Sequence, residues 1–109
     1  MPRLDPEFAC LVLNALKGLG DLEVAPFFGG VRIRHRGVPF GVLIEHSLYF
    51  AVDEVLRKRY ERMGSSAFSY LTRKGRVYVH RYYEVTEDLL EDHGRLLTHA
   101  RESIYAMRK

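Results

Sequence analysis

A single cysteine, Cys10, stands in this chain of 109 residues. One thiol excludes an internal disulfide framework and fits a reducing compartment, so a cytoplasmic location is expected. Cys10 lies between apolar neighbours with no His or Lys beside it to lower its pKa, and reads as a small semi-buried hydrophobe rather than a reactive thiol. No apolar run approaches the ~20 residues that a membrane-crossing helix needs, so no membrane partner is expected. Asp5 and Glu7 interrupt the N-terminal stretch, and no signal peptide is expected there. Internal repeats, low-complexity tracts and polar linkers are absent, which makes residues 1–109 one domain. Charge of one sign is scarce too. Lys and Arg number 17 against 14 Asp and Glu, a net charge of +3. That balance allows a nucleic-acid partner without arguing for one.

Catalytic and metal-binding patterns are also missing. His35, His46, His80, His93 and His99 form no H-x-H, H-x-x-x-H or H-E-x-x-H pairing, and one cysteine supplies no zinc-type spacing. Glu45-His46 and Asp92-His93 are adjacent acid–histidine pairs, but neighbours along a strand point apart. Ser47, Ser65, Ser66, Ser69 and Ser103 lack a nucleophile-elbow context. Gly29-Gly30 lacks the G-x-x-x-x-G-K pattern and precedes a strand, so a tight turn is expected rather than a phosphate loop. The expectation is a chain that is not an enzyme and holds neither metal nor cofactor.

What is present organises around residues 24–49. Phe27, Phe28, Val31, Ile33, Phe40, Val42 and Ile44 suit a pleated, half-buried surface. Breaks fall at Gly29-Gly30, at Arg36-Gly37-Val38-Pro39 and at His46-Ser47. Phe40, Val42 and Ile44, then Leu48, Phe50 and Val52, read as one core face, with Leu43 and Tyr49 pointing to cover on the other. Upstream, residues 1–4 read as a loose end. Asp5-Pro6-Glu7 then starts a helix, with Asp5 as N-cap and Pro6 at the first position. Phe8, Leu11, Val12, Ala15 and Leu16 share one helical face, and Gly18 or Gly20 ends it.

A second helix begins at the N-cap Asp53, buries Leu56, Tyr60 and Met63, and ends at Gly64. Residues 68–72 and 76–85 read as a hairpin about Arg73-Lys74-Gly75, with Val77 and Val79 facing away from Tyr78, His80 and Tyr82. Thr86 caps a short turn. Asp92 caps a last helix with a stripe of Leu96, Leu97, Ala100, Ile104 and Met107, and Arg108-Lys109 suit its C-terminus. The predicted order is α-β-β-β-α-β-β-α. Consecutive strands joined by short turns make an antiparallel sheet and an α+β fold, since a parallel sheet needs a helix between each strand pair.

The basic residues are the sharpest functional feature. Arg32, Arg34 and Arg36 alternate with Val31 and Ile33 and are expected on one face of one strand. Arg57, Lys58, Arg59 and Arg62 lie on the second helix, and Arg73, Lys74 and Arg76 at the hairpin. With Tyr78, Tyr82 and Tyr83 these residues describe either a solvated surface laced with acids or a nucleic-acid face, phosphates on Arg and bases on Tyr.

A series of motifs resembles the N-terminal domain of TfoX/Sxy proteins, bacterial regulators of natural competence. The motifs are Phe28-Gly29-Gly30, the strand of Phe40, Leu48-Tyr49-Phe50, Val52-Asp53, Phe68-Ser69-Tyr70, Tyr82-Tyr83-Glu84-Val85 and Leu89-Leu90-Glu91-Asp92. They run in order through nearly the whole chain. Ala25-Pro26-Phe27 and Ala51 depart from the family pattern at two positions that are usually basic, and Thr86 stands where a proline is frequent. The resemblance implies an α+β fold similar to that of secretion chaperones. It also implies a non-enzymatic role on gene expression through a protein partner, with a homodimer among the forms to test. Phe28, Gly29, Gly30, Tyr49, Tyr82 and Tyr83 are the family positions expected to serve packing or binding.

Overall fold

The computed structural model describes residues 3–108, and the expectations for Met1-Pro2 and Lys109 lie outside them. Helix α1 spans Pro6–Ala15 and runs into a 3-10 turn at Lys17–Leu19. Four strands follow: β1 (Leu22–Phe27), β2 (Gly30–His35), β3 (Val38–Ile44) and β4 (Ser47–Ala51). Helix α2 (Glu54–Arg62) leads to the hairpin β5 (Ala67–Thr72) and β6 (Gly75–Glu84), then to α3 (Glu87–Glu91) and α4 (His93–Arg108). The fold is α+β, with one antiparallel sheet in the order β1-β2-β3-β4-β6-β5. Four strands precede α2, one more than the predicted order. The additional one, β1, carries Pro26 and lacks clean alternation, both admissible at a sheet edge.

Local chemistry sets the helix ends. Asp5 Oδ1 accepts from the Glu7 amide at 3.0 Å and Asp53 Oδ1 from the Leu56 amide at 2.9 Å, caps that each stabilise by about 1 kcal/mol. Asp92 caps α4 through the Arg95 amide at 3.1 Å. Gly64 leaves α2 at φ +80, a conformation that costs glycine nothing. Thr86 stands at the start of α3, but its side chain makes no capping hydrogen bond.

All four helices bury against one face of the sheet. Val12 and Leu16 of α1, Leu56 and Tyr60 of α2, Leu89 of α3, and Leu96, Ala100 and Ile104 of α4 meet Ile33, Phe40, Leu43, Leu48, Phe50 and Tyr83. Buried Ser103 ties α4 to the sheet: its Oγ lies 2.7 Å from the Ala51 carbonyl oxygen and 3.2 Å from that of Phe40. Leu11 and Cys10 are exposed, so the buried stripe of α1 is narrower than its pattern and Cys10 is not the half-buried hydrophobe expected.

Two irregularities redistribute the strand residues between faces. Ile33 pairs with Gly41 and Arg34 with Pro39, so Phe40 is an extra residue on β3. This bulge sends Phe40 into the helical core while Val42 and Ile44 turn to the opposite face, splitting the expected single row. On the hairpin, Ala67 pairs with Tyr83 but Phe68 with Val79. That shift places Val79 and Tyr82 together on the open face and Tyr83 in the core, so Tyr82 does not follow Tyr78 and His80.

Candidate functional site: the open face of the sheet

The face away from the helices carries a smaller apolar cluster. Val42, Ile44 and Phe68 are buried there, with Phe27, Tyr49, Tyr70, Val79 and Tyr82 packed around them. Strand β4 pairs β6 over three positions only, so the distal half of the β5–β6 hairpin extends as an arm beyond the sheet. Its side chains reach back over the open face. Phe68 lies edge-on to Tyr49 with centroids 5.3 Å apart, and 6.0 Å from Phe27 of the opposite edge strand. Between arm and sheet runs a groove of about 860 Å³, floored by Ile44, Tyr49 and Phe68. Phe28, Tyr70, His46 and Arg76 stand on its walls.

Phe28 is the residue that sequence patterning explains least. It shares the two-residue β1–β2 turn with Gly29, and both have positive φ, +46 and +81. A turn of this kind prefers Asn-Gly or Asp-Gly, because a bulky side chain in the left-handed region costs about 1–2 kcal/mol. Here the position holds a phenyl ring that is 56% exposed. Gly30, next in line, opens β2 against the backbone of β3. A Cβ there would sit 1.9 Å from the Leu43 carbonyl oxygen. The turn residues are thus Phe28-Gly29, and Gly30 serves close backbone approach.

The other family positions divide by face. Tyr49 and Tyr82 belong to the open face. Burial, followed by the nearby Glu84 carboxylate, pushes the Tyr49 phenol up from its ordinary range. Tyr83 belongs to the core, where its hydroxyl donates to Glu61 Oε2 at 2.5 Å, and His80 Nδ1 lies 3.1 Å from that Tyr83 hydroxyl oxygen. Burial and that hydrogen bond push its pKa up to about 12. A phenol so held stays neutral and offers no base at ordinary pH.

The three arginines singled out from sequence do not all lie on one strand. Arg32 and Arg34 project from β2, whereas Arg36 occupies the β2–β3 turn at φ +50 and its Nε donates to Asp21 Oδ2 at 2.9 Å. Arg32 lies over the Phe27 ring, its Cζ 5.0 Å from the centroid. Among the described residues neither Arg32 nor Arg34 forms an ion pair, and the Nε of each is shielded from solvent without a hydrogen-bond partner. On α2, Arg57 pairs with Glu54 and Arg59 with Glu102 of α4.

Each histidine near an acid has a structural surrounding. His46 Nδ1 lies 3.1 Å from Asp5 Oδ2, beside the hydrogen bond from the Asp5 amide to the Glu45 carbonyl that holds the start of α1 to the β3–β4 turn. His99 packs edge-on to Tyr60. Among the described residues no three His, Cys, Asp or Glu side chains gather as metal ligands, and no helix is long and apolar enough to cross a membrane. Sequence reasoning missed Tyr70 and Arg76 as groove residues. Phe68-Ser69-Tyr70 was visible as a motif, but only the bend of the arm brings it opposite Phe28.

The architecture is thus a small α+β domain with one helical face and one aromatic, partly uncovered sheet face. The chain belongs to the TfoX N-terminal domain family, whose model matches residues 14–107, and is a competence-regulator-like domain. No curated protein matches it.

Proposed function

We propose that this chain is a non-enzymatic regulatory module of the cytoplasm that acts on gene expression through a protein partner, docked in the groove of the open sheet face. The observation that carries this reading is the exposed Phe28 ring on a left-handed backbone beside the groove. Strained conformations of this kind persist where function retains them. An apolar side chain of the partner would enter between Phe28, Tyr49 and Tyr70, as aromatic anchors do in protein interfaces. Family membership supports the regulatory role. The test is site-specific photo-crosslinking in cells, with the crosslinker at position 28 and, as control, at the exposed position Val55 of α2. A discrete adduct from position 28 alone is expected. Equal or absent labelling at the two positions would defeat the reading.

A second reading rests on a separate observation, the two arginines of β2 without carboxylate partners beside open-face aromatics. Such a surface suits phosphates on Arg32 and Arg34 with bases stacked on the rings. Fluorescence anisotropy with duplex and single-stranded probes checks it. Two phosphate contacts on duplex DNA give a log–log salt slope of about −1.8, and Arg32→Ser with Arg34→Ser would abolish that slope. Absence of saturable binding at low salt removes this reading and leaves the protein-partner reading untouched.

A further inference from the structure

The two edges of the sheet differ in how they are protected. Strand β1 carries Glu23 and Pro26, and a proline and an acid are devices that stop an edge from pairing with another chain. Strand β5, at the other edge, reads Ala67-Phe68-Ser69-Tyr70-Leu71-Thr72 and has no charge, no proline and no glycine. Its row of outward amides and carbonyls is a template for a further strand. Exposed apolar side chains flank it: Leu71 is 72% exposed and Tyr78 58%. The other flank of the arm, on β6, is charged by Arg76 and Arg81.

We infer that β5 pairs antiparallel with β5 of a second copy of this chain, joining two sheets across a twofold axis. The charges at the hairpin tip select this direction. Arg73 and Lys74 cap the hairpin immediately beyond β5. A parallel pairing would bring two such tips side by side. An antiparallel pairing sets them at opposite ends of the joined strands, about 20 Å apart for six residues, which exceeds the Debye length of about 8 Å at physiological salt. An uncharged strand is self-complementary in this arrangement, and an isologous contact closes on itself as a dimer. The second copy covers Leu71, which the monomer leaves in water.

Sedimentation equilibrium of the full chain over about a hundredfold range of concentration tests the inference, because a dimer responds to mass action. The expected mass rises from the 12.7 kDa of one chain to twice that value. Leu71→Lys, at an exposed position, is expected to weaken association at least about tenfold, as a charge on an edge does. Val24→Lys on β1 leaves it unchanged. Hydrogen exchange of wild-type β5 amides is expected to slow as concentration rises, a readout independent of whether any variant folds. A single-chain mass throughout, equal effects of the two substitutions, or β5 exchange that ignores concentration would each overturn the proposal.

Discussion

The ring of Phe28 stacks on that of Tyr70, centroids 5.3 Å apart and planes inclined by 21°. The two residues come from opposite ends of the sheet order, one from the β1–β2 turn and one from β5. Their contact bridges the two ends of a sheet whose edge strands β1 and β5 do not pair with each other, and it makes one wall of the groove.

Phe28→Asn therefore separates folding from binding. Asparagine tolerates the left-handed conformation, which recovers about 1–2 kcal/mol of strain. Loss of the contacts to Phe27, Phe68 and Tyr70 offsets that gain at about 0.5–1.5 kcal/mol per aromatic pair. Urea unfolding is expected to show stability about 1–2 kcal/mol below the parent, a modest loss that leaves the domain folded. Crosslinking of a partner from a neighbouring groove position is expected to fall at least about tenfold, as for loss of an aromatic anchor.

Gly30→Ala is expected to be severe. Its Cβ would collide with the Leu43 carbonyl oxygen at 1.9 Å and with Ile44 Cγ1 at 2.8 Å, so β2 must move off β3. Overpacking of this kind costs about 1–3 kcal/mol or more. Gly37→Ala meets no atom within 4 Å and pays only for its φ of +81, about 1–2 kcal/mol. Chemical denaturation of the two variants side by side is expected to place the Gly30 variant lower.

Alkaline stability follows from Tyr83. Its folded pKa of about 12 lies above the ordinary value of 10.0. The neutral phenol is thus favoured by the fold, and its stabilisation is complete below pH 10 and lost as pH rises toward 12. Tyr49 and Tyr60 shift in the same direction, each chiefly through burial. Denaturant midpoints measured between pH 9 and pH 12 should fall steeply for the parent, and less so for Tyr83→Phe.

On the acid side the sensitive group is His99. Burial lowers its pKa from 6.5, opposed by Glu102 and reinforced by Arg59 and Arg95. The fold favours the neutral ring, so this contribution is present above pH 6.5 and is lost as pH falls below it. His99→Gln is expected to flatten the pH dependence of thermal unfolding between pH 7 and pH 5. An unchanged slope would assign that dependence to other groups.

Much of the fold is legible along the chain, for a definite reason. The caps at Asp5, Asp53 and Asp92 and the helix stop at Gly64 act within four residues, so their chemistry stands in the local sequence. The α+β class follows from consecutive strands joined by short turns. Strand β1 is not legible in this way, because an edge strand bearing Pro26 needs neither alternation nor a full ladder. The row of Arg32, Arg34 and Arg36 broke at its last member, since the β2–β3 turn takes Arg36 out of the strand and gives it to Asp21.

The sequence by itself determined the elements other than β1, most of the helical core and the family, because these depend on periodicity, capping and a motif order read along one dimension. Only the tertiary structure decided which face each aromatic serves. The bulge at Phe40 and the register shift between Ala67 and Phe68 are set by the partner strand, not by the residues themselves. A one-residue change of register exchanges the two faces of a strand. That geometry sends Phe40 and Tyr83 into the core, turns Val42 and Tyr82 outward, and carries Tyr70 across the sheet to Phe28.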